Sequence, residues 1–241
     1  MIKLIKAELR RILGRRGSAW GSAIVIGLFA LGDVVWALVA SNPTAETAIV
    51  DGGGLVAVIV ILCSIILGAT AGSYDVDKGT MRYLVLTGVS RWKLALVRIP
   101  GLIIAIVLVS LPGIALVLLA GLIAGGGGAT AGNVFDVFYL AWTGGIMYGL
   151  LSLAIGTFLK SNGVAIAVAI LVNFIGAQIS FLIADHVSEG LGHLFFSTAS
   201  EIVLDRDTAG PISLGLAIAV LITWLVVLLG AATLRVQRAE Y

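Results

Sequence analysis

The sequence predicts an all-α integral membrane protein with six transmembrane helices and an amphipathic helix ahead of the first. Three observations predict it. Apolar residues make up 60% of the 241 and charged residues only 12%, where soluble chains use about a quarter charged. The apolar residues fall in six runs, each long enough at 1.5 Å per residue to cross a hydrocarbon core of about 30 Å. Lys and Arg gather between alternate runs, as expected when one side of a membrane retains cations.

The amino-terminal stretch, residues 1–18, reads as a helix lying in the membrane interface. Ile2, Ile5, Leu9, Ile12 and Leu13 recur at helical spacing on one face, with Lys3, Lys6, Arg10 and Arg11 beside and opposite them. Such a helix sets its apolar face in the acyl boundary and its cations near anionic headgroups. Gly14 and Gly17 permit a turn into the first span, and Trp20 suits the interfacial belt. The apolar run that follows exceeds the length of a signal-peptide core, so cleavage is not expected. Residues 19–241 then form one six-span domain.

The expected spans are Trp20–Ala40, Gly53–Ser73, Leu94–Ala124, Phe135–Leu159, Gly163–Ala184 and Ile212–Leu234. Asn42 and Pro43 end the first, and the glycines 52–54 and 125–128 are read as outer-loop punctuation. Pro100 and Pro112 lie inside the third span and predict a bend. Glycines recur through spans 4 and 5, as at Gly145, Gly149 and Gly156, which suits close helix packing in lipid. Lys3, Lys6, Arg10, Arg11, Arg15, Arg16, Lys78, Arg82, Arg91, Lys93, Arg98, Lys160, Arg235 and Arg238 all fall on one side, which leaves Arg206 alone on the other. The positive-inside rule makes the first side cytoplasmic, with both termini there.

The connection from Tyr74 to Lys93 carries the most information. Asp75 and Asp77 precede a short helical stretch, and Asp77 is placed to cap it. Met81, Leu84 and Val85 share one face, and Ser90 opens the next helix. An apolar stripe with charged shoulders at a membrane surface is shaped to enter a groove on a soluble partner. A solvated re-entry loop is the plainer alternative.

At these residues the chain resembles the type-2 ABC transporter permeases, the membrane subunits of bacterial exporters. The resemblance rests on Gly79-Thr80, the run Leu84-Val85-Leu86-Thr87, and Val89-Ser90-Arg91 followed by Lys93, placed directly after span 2. A second match covers Leu150 to Ala167, a small-residue helix, a polar turn with Lys160 and an Ala-rich return. The family's usual Glu before Gly-Thr is replaced here by Asp75 and Asp77. The resemblance implies an interfacial "elbow" helix, a cytoplasmic coupling helix between spans 2 and 3 (Asp75, Asp77, Gly79, Thr80, Met81, Leu84, Val85, Arg91), and location in a bacterial inner membrane. It also implies partners: a second permease subunit, identical or different, and two ATPase subunits that hold ATP and Mg. No nucleic-acid partner is implied.

This chain supplies no nucleotide loop, because Asp77-Lys78-Gly79-Thr80 has the wrong order and too few glycines for one. No catalytic set, metal site or bound cofactor is expected; His186 and His193 are too far apart and too poorly accompanied. Asp33 in span 1, and Asn173 and Gln178 in span 5, are candidates for a translocation path, with interhelical packing the alternative for each. Two rival functions stand: an ATP-independent structural or immunity-type membrane protein, and an intramembrane enzyme. The carboxylate pairs available to the enzyme, Asp75 with Asp77 and Asp205 with Asp207, are expected on opposite sides of the membrane.

Overall fold

A computed structural model describes residues 2–40, 42–79, 90–125, 128–159, 161–187, 189–192, 194–205 and 212–238. These residues are helical, with no strand among them: α1 (Ile2–Leu13), α2 (Gly21–Val39), α3 (Ala45–Asp77), α4 (Arg91–Ala124), α5 (Ala131–Tyr139), α6 (Gly145–Phe158), α7 (Asn162–His186), α8 (Glu189–Gly192), α9 (Phe196–Leu204) and α10 (Leu214–Arg238). Short π-helical turns at Arg16–Trp20 and Leu140–Gly144 lead into α2 and join α5 to α6.

Six helices are long and apolar enough to cross a membrane: Gly17–Val39, Ala45–Asp77, Trp92–Ala124, Ala131–Phe158, Asn162–His186 and Leu214–Gln237. The chain thus has the make-up of a multi-pass membrane protein. On α2, α7 and α10 large apolar side chains such as Leu28, Phe174 and Val226 are more than 60% exposed, a pattern suited to hydrocarbon rather than water.

The start of the second span differs from expectation. The second spanning helix begins eight residues before Gly53, so Gly52, Gly53 and Gly54 lie inside α3 and not in a loop. Thr44 explains the early start: its Oγ1 accepts from the Thr47 amide at 3.2 Å, while Thr47 Oγ1 accepts from the Thr44 amide at 3.3 Å. These reciprocal bonds satisfy orphan donors as a capping box does. The third spanning helix runs unbroken through both prolines, from Arg91 to Ala124.

Contacts group the chain into two compact units, Met1–Leu67 with Ile99–Gly149, and Gly68–Arg98 with Leu150–Tyr241. In the first, glycines admit neighbouring side chains to the backbone. Ile26 lies against Gly113, Ile49 against Gly121, and Ser64 and Ile106 against Gly145 and Gly149. Ala37, Ala48 and Ala120 form a small buried cluster. The α3 start is tied to the α4 end, where Ala45 N–H donates to the Gly125 carbonyl at 2.8 Å. Helix α1 belongs here too: Ile12 is 1% exposed, and Glu8 and Ile12 approach the bare Cα of Gly101. Its apolar face is therefore partly occupied by protein.

In the second unit the end of α3 meets α6 at Gly72 and Gly156, small residues that let helix backbones approach in lipid. Helix α9 packs on α7 and α10. Ser180 Oγ lies 3.2 Å from Ser197 Oγ and 3.0 Å from Thr198 Oγ1, and Trp224 Nε1 donates to the Leu194 carbonyl at 2.8 Å. The indole therefore fastens the segment between α7 and α10, a contact with no counterpart in local periodicity.

Candidate functional site

The residues singled out after span 2 begin in the last turns of α3. Asp75 and Arg98, 23 positions apart, form an ion pair at 2.7 Å with side chains only 3% and 5% exposed. Arg98 Nη1 also donates to the Gly72 carbonyl at 3.2 Å, so the guanidinium bridges a carboxylate and a backbone acceptor. The consequence is geometric. The last turns of α3 and the first turns of α4 are clasped.

Asp77 does something different. Its Oδ1 accepts from the Asn162 amide at 3.3 Å, so the carboxylate stands at the amino end of α7, where the helix dipole favours negative charge. Ser161, which occupies the cap position of α7, makes no side-chain capping bond. Asp77 instead offers an acceptor to the first amide of α7 from another helix. Next to it, Ser73 Oγ lies 2.8 Å from the Ala69 carbonyl and 3.0 Å from Asn162 Oδ1. One hydroxyl proton serves one acceptor, so both contacts are satisfied when the Asn162 amide turns its NH2 toward Ser73.

Gly79 closes α3. Its φ of +67° is the left-handed conformation that favours glycine at a helix end, and its amide donates to the Val76 carbonyl at 3.2 Å. No described atom crowds the position, so Gly79→Ala is expected to cost about 1 kcal/mol through backbone strain. Thermal unfolding in neutral detergent measures this, with Gly79→Asn expected to recover part of the loss.

Of the remaining residues read as a coupling helix, Thr80, Met81, Leu84 and Val85 lie outside the described residues. Arg91 opens α4, and its side chain likewise lies outside them. On α1, Lys3, Lys6 and Arg10 are exposed, whereas Arg11 is half-buried and pairs with Glu8.

In the first unit, Asp33 lines a cleft of about 620 Å³ formed by α2 and the early turns of α3, with Asp51, Phe29, Trp36, Thr47 and Leu55 among its walls. A Cβ on Gly52 would meet the Asp33 carboxylate at 2.2 Å. The carboxylate therefore rests on a bare Cα, and its Oδ2 is shielded with no hydrogen-bond partner. Sequence reasoning singled out Asp33 but missed Asp51 and Gly52, because both were assigned to a loop.

Asn173 and Gln178 are on α7, which belongs to the other unit. Asn173 Nδ2 donates to the Ala169 carbonyl one turn back at 2.6 Å, and its Oδ1 is buried without a partner. Gln178 is exposed. His186 is exposed beside Asp185, with Nδ1 to Oδ2 at 3.2 Å. Among the described residues no group of three His, Cys, Asp or Glu is gathered as a metal site would require.

Comparison with known protein families finds no match to this chain, and comparison with curated proteins finds none either.

Proposed function

We propose that this chain is the membrane-spanning subunit of an ATP-driven exporter of the type-2 ABC class. In this reading it lies in a bacterial inner membrane with both termini in the cytoplasm. It pairs with a second permease subunit and takes mechanical work from two separate ATPase subunits that bind ATP and Mg. The chain itself performs no hydrolysis.

The observation that carries the reading is the position of the segment beginning at Gly79. It follows a spanning helix, bears the Gly-Thr and Val-Ser-Arg pattern, and joins two helices whose facing ends are held by the buried Asp75–Arg98 pair. A push on the Met81 and Leu84 stripe is thereby delivered to α3 and α4 together, rather than absorbed by a free loop. Asp77 passes part of it to α7 through the Asn162 amide. Asp33, Asn173 and Gln178 are the polar groups available to line a path.

The test is replacement of Met81 and Leu84 by Asp in a strain that co-expresses this chain with an ATPase encoded beside it. Wild-type chain should retain the ATPase through affinity purification and alter its ATP turnover. The double variant should insert normally yet lose the ATPase at least about tenfold, because apolar anchors dominate groove binding. Equal retention by the variant sinks the docking proposal. Failure of the wild type to retain any ATPase would favour an ATP-independent membrane role.

A further inference from the structure

The cleft beside Asp33 has a chemistry of its own. Its volume of about 620 Å³ falls in the range of pockets that hold small organic molecules. Two carboxylates, Asp33 and Asp51, line it, and no Lys or Arg is among its described walls. Asp33 belongs to a helix of spanning length, where an uncompensated carboxylate is costly. Its Oδ2 has no partner, although packing against Gly52 keeps it shielded. Such an arrangement calls for a positive charge that the described walls do not supply.

The walls decide which kind of cation fits. Calcium takes 6 to 8 oxygen ligands, whereas the cleft offers two carboxylates and the Thr47 hydroxyl among aliphatic and aromatic side chains. Phe29 and Trp36 are each 44% exposed, so their rings are not consumed by packing and can face an ammonium. Leu28 and Leu55 extend the apolar surface for a hydrocarbon tail. We infer that this cleft binds an amphipathic organic cation, its ammonium between Asp33 and Asp51 and its apolar body along Phe29, Trp36 and Leu55. Gly52 is part of the site, since any side chain there would displace the Asp33 carboxylate.

This inference does not rest on ATPase coupling, and its test uses the purified chain alone. The probe is decyltrimethylammonium, titrated calorimetrically into protein held in a neutral maltoside detergent. Saturable binding at one site per chain is expected, with Asp33→Asn weakening it at least about tenfold and Asp51→Asn by less, because Asp51 is exposed. Decyl sulfate and an uncharged decyl analogue should show no saturable binding. Leu28→Trp, which fills the cleft without removing a charge, should also abolish it and covers the case in which Asp33→Asn fails to fold. Non-saturating uptake, equal binding of the anionic analogue, or unchanged affinity in both variants would overturn the inference. Displacement of the probe by millimolar Ca²⁺ or Mg²⁺, lost in Asp33→Asn, would overturn it in favour of a metal site.

Discussion

Replacing Arg98 with Ala should destabilise the protein by about 3–5 kcal/mol, because it removes the cation that pairs with the buried Asp75 carboxylate. Neither charge has water to fall back on: Asp75 is 2% exposed and Arg98 4%. The change also strips the Gly72 carbonyl of its guanidinium donor, a further loss of about 1–3 kcal/mol if nothing replaces it. Asp75→Ala should cost a similar amount by stranding the guanidinium. The double replacement Asp75→Leu with Arg98→Met should cost less than either single change, since apolar side chains of similar volume avoid the desolvation penalty of both ions. Thermal unfolding in neutral detergent of these proteins, with the Asp75→Ala, Arg98→Ala double variant added, gives the cycle. Additive single losses would mean that the ion pair is not the source. The Asp75→Leu, Arg98→Met variant also tests the clasp: if the pair conveys force from the segment after Gly79, this variant should fold and still transport poorly.

Why the clasp was not legible in the sequence follows from what periodicity reports. Hydropathy finds the six spans because every spanning residue reports on its own solvent, and each run needs no knowledge of its neighbours. Asp75 reads as a carboxylate ahead of the coupling stretch and Arg98 as one of the cations on the cytoplasmic side. Their pairing depends on where the ends of two helices meet, and no local pattern carries that. The misplaced start of α3 has a different cause. Three glycines in a row at 52–54 outweighed the Thr44 and Thr47 signal, because glycine is a strong breaker in water. In a spanning helix the glycine backbone is useful instead: Gly52 admits the Asp33 carboxylate and Gly53 admits Val137. The same miscue hid Asp51 and half of the cleft. Asp77 reads from the sequence as a cap for the stretch after Gly79, which lies outside the described residues; among those described, its Oδ1 accepts from the Asn162 amide. A carboxylate near a chain turn announces that it seeks amides, not whose.

Gly156→Ala should destabilise the second unit although alanine is the better helix former. Propensity favours alanine by about 1 kcal/mol. Against this, the added Cβ would stand 2.3 Å from the Ala69 carbonyl oxygen, a backbone atom that no rotamer change can move aside. The two helices must then separate, and overpacking of this kind costs about 1–3 kcal/mol. Lipid does not compensate, because tails solvate a methyl group as well as the helix interface does, so contact between backbones is what is lost. Gly156→Leu should exceed the upper end of that range. Gly230→Ala is the control of opposite sign: no atom lies within 4 Å of its Cβ position, so propensity alone should raise stability by up to about 1 kcal/mol. Gly72 supplies the neighbouring half of the contact, its Cβ position lying 2.5 Å from the Leu153 carbonyl oxygen. Gly72→Ala should therefore be costly alone and cheaper once Gly156→Ala has already parted the helices, a non-additivity expected of residues that share one contact. Unfolding midpoints of the two singles, the double and the Gly230 control measure it; strict additivity of the two singles would place Gly72 and Gly156 in separate contacts.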